Sequence, residues 1–315
     1  MRMVNKPGLL LFTPGMARLG ADVIKRFDVL KLWEAGDVDA ALADHGAGIV
    51  AILTTGRDRI DASLLDRLPA LRVIAAAGAG YEGIDVAAAD ARGVIVANAG
   101  DMHSRDVADH TVGLILAAIQ QIAMGDAWVR TGRWGREGYP PYRRALSSHR
   151  FGIVGLGRIG QAIAARLTPF GGEIAWWGPH ARPAAWPRKE SILGLAQWCT
   201  TLVVVARGDT HRLIDRAVIE AVGADGLIVN IARGDVIDEE ALIVALYDGS
   251  LGGAALDVFV NEPARPERWA GVPNVILSPH NAGQTHEAMA RLRAAAARNL
   301  LSALDGGPVI NRIAA

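Results

Sequence analysis

The sequence is poor in cysteine and has no excess of either charge. Cys199 is the one cysteine among 315 residues, which excludes a disulfide framework and a multi-cysteine zinc site. We expect its thiol to be buried or half-buried, and we predict no metal site. Lys and Arg together number 33, as do Asp and Glu, so the formal net charge is zero. Because no basic field attracts phosphate backbones or anionic headgroups, we predict neither a nucleic-acid partner nor a membrane partner.

Long apolar runs are missing as well. Near the N-terminus, the run Leu9–Phe12 follows Arg2 and Lys6, but it is far too short for the core of a signal peptide. No stretch of the chain approaches the roughly 20 apolar residues that a membrane helix needs. We therefore expect a cytoplasmic protein that binds a small molecule.

Short β-like runs alternate with helix-like segments along the chain, a pattern typical of parallel α/β architecture. A first series of strands is predicted at Leu9–Phe12, Gly48–Thr54, Arg72–Ala76 and Val94–Ala97. A second series is predicted at Arg150–Val154, Glu173–Trp177, Leu202–Ala206, Gly226–Asn230, Gly253–Asp257 and Val275–Leu277. Two successive α/β units imply a cleft between them in which a ligand binds.

A long helix is predicted for Ser104–Arg130, between the two series of strands. Its apolar positions lie on more than one face, which indicates burial on more than one side. A contact between subunits would supply this burial and favours a homodimer, but packing between the two domains would supply it equally well. Near the end of the chain, we expect Thr285 to cap a helix that runs to about Leu304.

A glycine-rich turn follows the strand predicted at Arg150–Val154. The motif G-x-G-x-x-G comprises Gly155, Gly157 and Gly160. The first glycine permits a tight turn, the second lets a pyrophosphate approach the backbone, and the third lets helix and strand pack closely. The helix that starts here, with Arg158 and Ile159 in its first turn, favours an anion at its N-terminus. The motif alone is weak, but its place between a strand and a helix predicts a dinucleotide site.

The next strand ends without the acid that such units usually carry. An Asp or Glu about 20 residues beyond the glycines binds the ribose 2′-hydroxyl, whereas a nearby Arg accommodates a 2′-phosphate. No carboxylate occurs from Trp176 to Arg182, and Gly178 stands near the expected position. His180, Arg182 and Arg158 offer positive charge or hydrogen-bond donors to a phosphate. We predict that NADPH is preferred to NADH; incidental charges on a surface loop, or dual specificity, are the alternatives.

Three chemically active side chains follow predicted strands of the second series. Arg233 follows the strand that ends at Asn230, Glu262 lies in the segment after Asp257, and His280 follows Leu277. Open α/β sheets bind ligands beyond the carboxyl ends of their strands. Taken singly, Arg233 could cap a helix, Glu262 could be a solvated loop acid, and His280 could be a core histidine with its hydrogen bonds satisfied. Their joint placement at three strand ends favours a catalytic site.

Six stretches of the chain together carry a specific resemblance. They are Ala79–Asp85, Asp106–Asp109, Val154–Gly160, Asn230–Asp235, Gly253–Pro263 and Ser278–Gly283. In these stretches the chain resembles the D-isomer-specific 2-hydroxyacid dehydrogenase family, and within it the glyoxylate/hydroxypyruvate reductase and hydroxyphenylpyruvate reductase branch. The resemblance covers almost the whole chain and implies an α/β fold with two Rossmann-like parallel-sheet domains. A nucleotide-binding domain of residues 101–284 would be inserted into a flavodoxin-like substrate-binding domain of residues 1–100, completed by residues 285–315.

The resemblance implies that Arg233, Glu262 and His280 are the catalytic residues. His280 would protonate the alkoxide that develops when hydride leaves the nicotinamide for the carbonyl carbon of a 2-oxo acid. Glu262 would orient the imidazole and favour its charged form. Arg233 would hold the substrate carboxylate and polarise the keto oxygen. Glu262 also disfavours a formate dehydrogenase, because those enzymes resemble this family but have glutamine at the corresponding position.

Contacts outside the catalytic residues are implied as well. The backbone amides of Ala79 and Gly80 resemble a second clamp on the substrate carboxylate, and Tyr81 stands beside it. In the nucleotide domain, Asp257 and the carbonyl of Ile231 resemble groups that bind the nicotinamide carboxamide.

Other parts of the chain match the family less clearly. Ser104 is expected to approach the cofactor phosphates. The short loop Ala206–Thr210, which contains Arg207, and the segment Trp134–Arg144 depart from the family pattern. No contact is carried over to either of these two segments.

The leading prediction is NADPH-dependent reduction of small 2-oxo acids to 2-hydroxy acids, with NADH as a weaker cofactor. Glyoxylate and hydroxypyruvate come first as substrates, and arylpyruvates follow. An NAD-linked D-2-hydroxyacid dehydrogenase of the phosphoglycerate type is an alternative, disfavoured because the segment Trp176–Arg182 lacks the ribose acid. An alternative of another class is a nucleotide-sensing corepressor that binds partner peptides, which the neutral charge disfavours.

Overall fold

The protein is described from a computed structural model, which covers residues 6–19, 21–206 and 210–315. The chain divides into two compact units. One comprises Met1–His103 and Thr285–Ala315, and the other comprises Ser104–Gln284. The second unit is therefore an insertion in the sequence of the first. The sequence predicted this boundary at residue 100.

The first unit begins with alternating strands and helices. In chain order they are β1 (Gly8–Leu11), α1 (Pro14–Leu19), α2 (Ala21–Ile24), β2 (Asp28–Lys31), α3 (Val38–His45), β3 (Ile49–Thr54), α4 (Ala62–Asp66), β4 (Val73–Ala76), α5 (Val86–Ala91) and β5 (Ile95–Asn98). Asp37, Asp61 and Asp85 cap α3, α4 and α5 by accepting hydrogen bonds from backbone N–H groups of the first turn. These caps satisfy donors that a helix N-terminus leaves unpaired.

The second unit opens with helices and continues as an α/β alternation. Its elements are α6 (Ser104–Ile119), α7 (Ile122–Arg130), α8 (Arg133–Glu137), β6 (Arg150–Val154), α9 (Arg158–Leu167), β7 (Glu173–Trp177), α10 (Ile192–Trp198), β8 (Thr201–Val204), α11 (Arg216–Val222), β9 (Leu227–Asn230), α12 (Glu239–Asp248), β10 (Gly253–Leu256), α13 (Pro266–Trp269) and β11 (Val275–Leu277).

The chain then returns to the first unit with α14 (His286–Leu304) and β12 (Arg312–Ile313). Thr285 caps α14, because its hydroxyl accepts a hydrogen bond from the Ala288 N–H at 3.0 Å. Glu287 in the first turn complements the helix dipole. The predicted cap and the predicted end of this helix are confirmed.

In the described part of the first unit, six strands form one sheet in the order β12-β5-β4-β3-β1-β2. Neighbouring strands are parallel except for β12, which is antiparallel to β5. The order β2-β1-β3-β4-β5 is that of flavodoxin-like folds. The sequence predicted four strands here and missed β2 and β12. The strand β2 is a partly exposed edge strand and β12 has two residues, so neither contains a buried apolar run.

The described strands of the second unit form a parallel sheet in the order β11-β10-β9-β8-β6-β7. A single-residue bridge between Trp176 and Arg188 adds a further parallel position beyond β7. The order reverses between β6 and β8, which is the place where such sheets bind ligands. The predicted class, α/β with two Rossmann-like parallel sheets, is confirmed.

Both faces of the second sheet are buried. Ile153, Val203 and Val229 lie in one apolar cluster, while residues from the alternate positions of the same strands lie in another, as the period of two in a strand requires. Cys199 is buried in the second of these clusters, which confirms the prediction. Its burial raises the pKa of the thiol to about 12. The thiol is therefore protonated at neutral pH and packs as a small apolar group.

The prediction of one helix over Ser104–Arg130 is wrong. The segment forms α6 and α7, which are bent by 54° at the break between them. Gln121 at the break has φ of 53°, and its N–H donates to the Ala118 carbonyl at 3.1 Å. A left-handed residue cannot continue an α-helix, so the direction of the chain changes here. Among the described residues, no single helix is long and apolar enough to cross a membrane; α6 and α7 pass that test only as this bent pair.

Candidate functional site

The glycine turn between β6 and α9 has the shape of a phosphate cradle. Gly155 has φ of 97°, and a Cβ on it would lie 2.8 Å from the Val205 carbonyl oxygen. A Cβ on Gly160 would collide with the Gly155 carbonyl, whereas a Cβ on Gly157 would face open space. The first and third glycines thus allow close packing. The second leaves room beside the N-terminus of α9, where Gly157 is the cap and provides no side chain. The turn fits a dinucleotide pyrophosphate.

Two arginines are held at the adjacent end of β7. Arg182 donates from Nη1 to the Leu156 carbonyl, inside the glycine turn, at 2.9 Å. Arg188 donates from Nη2 to the carbonyl of Gly178 at 2.8 Å, and its guanidinium lies 5.8 Å from the Trp176 ring centroid. His180 and Arg158 are both exposed.

Sequence reasoning did not single out Arg188. The Trp176 bridge brings this residue back to the end of β7, through hydrogen bonds from the Trp176 N–H to the Pro187 carbonyl and from the Lys189 N–H to the Trp176 carbonyl. The signal available in the sequence was that the acid-free segment continues from Ile174 to Lys189. Arg207 lies outside the described residues.

Arg233 lies in a turn shaped by Asn230 at the end of β9. The Asn230 side chain accepts a hydrogen bond from the Ala232 N–H at 3.0 Å and donates to the Arg233 carbonyl at 2.9 Å. Arg233 itself donates from Nη1 to the Ala232 carbonyl at 2.7 Å. A Cβ on Gly234 would collide with the backbone of Phe259, so this glycine brings the Arg233 turn against the segment that leads to Glu262. Ile231 is buried at the start of the same turn.

His280 and Glu262 form a direct pair. The His280 Nδ1 atom lies 2.8 Å from each carboxylate oxygen of Glu262, and both side chains are partly buried, with 31% and 25% of their surfaces exposed. Glu262 also accepts a hydrogen bond from the Phe259 N–H at 3.2 Å. Because an ionised carboxylate only accepts hydrogen bonds, Nδ1 carries a proton in this contact.

The turn after β11 places His280 in a backbone conformation that few residues adopt. His280 has φ of 51°, and such strain persists only where the surroundings hold it. Asp257, which is buried at the end of β10, supplies part of that hold. Its carboxylate accepts hydrogen bonds from the N–H groups of Asn281 and Ala282, each at 3.1 Å. Asp257 therefore connects the end of β10 to the histidine turn.

The remaining predicted residues lie apart in the chain from these strand ends. Ser104 is buried at the first position of α6. Ala79, Gly80 and Tyr81 belong to the first unit, in the loop after β4. The Asn98 side chain donates to the Ala79 carbonyl at 2.6 Å.

The loop after β4 is also packed against the segment that follows β3. A Cβ on Gly56 would collide with the Gly80 carbonyl, so the absence of a side chain at residue 56 permits this close approach. Tyr81 exposes 37% of its surface. The loop is therefore anchored by backbone contacts while its tyrosine remains accessible.

The chain is similar to known proteins over most of its length. Residues 112–282 match the family model described as D-isomer specific 2-hydroxyacid dehydrogenase, NAD binding domain. The chain is 37% identical to a glyoxylate/hydroxypyruvate reductase of Arabidopsis thaliana, over 85% of this chain and 84% of that protein. It is 38% identical to a 2-ketogluconate reductase of Gluconobacter oxydans, over 95% and 96% of the two chains.

A solved structure is similar over nearly the whole chain. It is that of an NADPH-dependent glyoxylate/hydroxypyruvate reductase of Sinorhizobium meliloti in complex with NADP and malonate. The TM-score is 0.87 and the sequence identity 32%, over 98% of this chain and 97% of that one.

Proposed function

Because the chain belongs to the D-isomer-specific 2-hydroxyacid dehydrogenase family, we propose that it reduces small 2-oxo acids with NADPH in preference to NADH. The family makes it an oxidoreductase with an NAD-binding domain. Glyoxylate and hydroxypyruvate are the proposed first substrates, with arylpyruvates after them. The observation that carries the catalytic part of the proposal is the pair of His280 Nδ1 and the Glu262 carboxylate, 2.8 Å apart.

Cofactor binding is proposed for residues 101–284. Gly155 and Gly157, with the N–H groups of Arg158 and Ile159 in the first turn of α9, would hold the pyrophosphate. Asp257 and the Ile231 carbonyl would face the nicotinamide carboxamide, and Ser104 would approach the phosphates. When bound, the nicotinamide supplies the hydride that is added to the substrate carbonyl carbon.

The catalytic residues then handle the proton and the substrate charge. With Nδ1 of His280 held by Glu262, the proton for the substrate oxygen is carried at Nε2. The anionic Glu262 carboxylate stabilises the imidazolium that donates this proton. Arg233 would bind the substrate carboxylate, since a guanidinium offers parallel N–H donors that match its two oxygens.

The substrate-binding domain would comprise residues 1–100 and 285–315. The backbone amides of Ala79 and Gly80 would contribute a second clamp on the substrate carboxylate, and Tyr81 would face the group attached to the keto carbon. Support comes from the anchoring of the Ala79 carbonyl by Asn98 at 2.6 Å, which restricts the loop that carries these amides.

The preference for NADPH is supported by the charges at the end of β7. No Asp or Glu occurs from Ile174 to Lys189, so a 2′-phosphate meets no local repulsion there. Arg182 and Arg188 are held by backbone carbonyls beside Gly178 and the glycine turn, and His180 adds a further donor. An NAD-linked enzyme of the phosphoglycerate type would need an acid here to bind the ribose 2′-hydroxyl, and this segment has none.

A homodimer is proposed from an exposed apolar patch on α7, α8 and the segment that follows. The patch consists of Ile122, Val129, Trp134, Tyr139 and Tyr142, each with more than half of its surface exposed. Exposed apolar patches often mark interaction sites. A second copy of the chain is the proposed partner.

The experiment that tests the function is a kinetic panel. Purified protein is assayed for oxidation of NADPH and of NADH with glyoxylate, hydroxypyruvate, hydroxyphenylpyruvate and 2-ketogluconate. We expect the highest kcat/KM with NADPH and one of the two small acids. A higher kcat/KM with NADH would contradict the cofactor proposal, and a preference for 2-ketogluconate would contradict the substrate proposal. If no acid is reduced with either cofactor, a nucleotide-sensing binding protein becomes the better proposal.

A further inference from the structure

A chain of polar side chains joins α6 to the turn that carries His280. His110 on α6 lies with its Nε2 atom 2.9 Å from the hydroxyl of Ser278. The Ser278 hydroxyl in turn donates to the Oδ1 atom of Asn281 at 2.7 Å. Ser278 is buried and the His110 side chain exposes 30% of its surface. The hydrogen bond between Ser278 and Asn281 therefore closes a short turn that contains His280.

The single proton of the Ser278 hydroxyl determines which atom donates in its contact with His110. A serine hydroxyl has one proton, and Ser278 gives it to Asn281, so the same oxygen must accept from His110. The Nε2 atom of His110 is therefore the donor. Its distance to the nearer carboxylate oxygen of Asp257 is 3.6 Å, which is too long for a hydrogen bond but close enough for electrostatic attraction.

Further hydrogen bonds hold the same turn. The Asp257 carboxylate accepts from the N–H groups of Asn281 and Ala282, and the Gln284 side chain donates to the His280 carbonyl at 3.1 Å. The His280 N–H donates to the Ser278 carbonyl at 3.0 Å. A left-handed histidine needs such surroundings, because an unrestrained turn would relax to a commoner backbone conformation.

We propose that His110 is a positioning residue for His280. By donating from Nε2 to Ser278, it holds the turn in which His280 keeps its left-handed conformation and meets Glu262. The effect of His110 on catalysis rests on the proposed function, in which a small displacement of the proton donor His280 lowers the rate. The positioning itself is a property of the second unit alone, since α6, β10 and β11 all belong to it.

Two replacements at residue 110 separate the hydrogen bond from the packing. His110→Phe keeps a ring but removes the donor, whereas His110→Gln keeps an amide N–H near the position of Nε2. We expect His110→Phe to lower kcat about tenfold, while KM for cofactor and 2-oxo acid stays within about twofold, because ground-state binding does not use His110. His110→Gln should recover most of kcat. An equal loss in both variants would overturn the proposal.

The middle link gives a second test. Ser278→Ala should reproduce the loss seen in His110→Phe, and the double variant should lose no more than either single variant, because both replacements break one chain of contacts. Additive losses would overturn the proposal. Asp109→Asn is the matched control on the same helix: Asp109 contacts Arg166 on α9 at 2.6 Å, and we expect kcat to stay at the wild-type value.

Amide hydrogen exchange tests the positioning without turnover. In His110→Phe, we expect the N–H groups of Asn281, Ala282 and Gln284 to exchange about tenfold faster than in the wild type, and we expect no such change in His110→Gln or Asp109→Asn. Unchanged exchange of these amides, or equal acceleration throughout the second unit, would overturn the proposal. A wild-type protein that reduces no 2-oxo acid would instead contradict the proposed function, so the two failures are distinguishable.

Discussion

At the residue scale, the imidazole of His280 is oriented through one of its two nitrogens. Nδ1 faces the Glu262 carboxylate at 2.8 Å, and a proton on Nδ1 defines the tautomer of the neutral ring. The carboxylate is itself anchored by the Phe259 N–H. This arrangement suits a ring that releases a proton from Nε2 and is then recharged while remaining in place.

His280→Ala tests this role directly. We expect kcat to fall by about 10² to 10⁴, the range typical of a lost general acid, while binding of NADPH, measured by fluorescence titration, stays nearly unchanged. Glu262→Gln should cause a smaller loss, since the amide still reaches the ring but carries no charge. His286→Ala removes an exposed histidine nearby in the chain and should have no effect. Normal turnover in His280→Ala would remove histidine from the mechanism.

The proposed role of Arg188 depends on the fold, because a bridge to Trp176 places it beside Gly178. Arg188→Gln should raise KM for NADPH about tenfold or more, the effect of one lost charge-assisted hydrogen bond. KM for NADH should not change, since NADH has no 2′-phosphate. Arg216→Gln, on α11, removes an exposed arginine and serves as control. An equal rise in KM for both cofactors would mean that Arg188 supports the fold rather than the phosphate.

At the element scale, the junction before β6 contains a buried histidine. His149 Nδ1 lies 3.2 Å from the Thr200 hydroxyl and 3.3 Å from the Thr201 hydroxyl, where β8 begins. Its Nε2 atom is buried with no hydrogen-bond partner in the described part of the chain. Burial, with a smaller contribution from Arg144, lowers the pKa of His149 below its ordinary value of 6.5. Protonation of this ring therefore opposes the folded state.

The sign of the pH dependence follows from linkage. Because the pKa is lower in the folded state, the stability due to neutral His149 is present above about pH 6.5 and is lost as the pH falls towards the folded-state pKa. We expect the free energy of unfolding, measured with urea between pH 7 and 5, to fall less steeply in His149→Gln than in the wild type. His211→Gln, at an exposed position, should keep the wild-type slope. Parallel curves for His149→Gln and wild type would contradict the prediction.

At the scale of the whole molecule, each unit buries its own sheet, yet α7 and α8 keep an apolar surface exposed. Val129 exposes 59% and Tyr142 essentially all of its surface. Within this patch, the rings of Trp134 and Tyr139 contact each other at a centroid distance of 6.0 Å. A partner that covers the patch would remove apolar area from water, which is the main driving force of association.

If the protein is a homodimer, as proposed, its mass in solution is twice that of the chain. Val129→Asp, which places a charge in the patch, should yield monomers in sedimentation equilibrium at micromolar concentration, because an unpaired buried charge is costly at an interface. Val244→Asp makes the same change on the exposed side of α12, where Val244 exposes 45% of its surface, and should leave the dimer intact. A wild-type monomer, or dissociation by both variants alike, would contradict the prediction.

Much of the fold was predictable because its signals are local. The ten predicted strands correspond to β1, β3, β4, β5 and the six strands of the second sheet, since each contains a short apolar run between turns. The glycine turn followed from three residues at fixed spacing. In contrast, β2, β12 and the break at Gln121 were missed. Edge strands have few buried residues, and a left-handed glutamine has no compositional signal.

The sequence by itself determined the fold class, the phosphate cradle and the types of side chain that stand at the strand ends, because each depends on neighbours within a few residues. Only the tertiary structure decided which of them meet. It brought Glu262 to His280, returned Arg188 to the end of β7, and set His110 against Ser278, 168 residues away in the chain. Such contacts arise when strands and helices pack, and packing depends on the whole folded chain rather than on any local pattern.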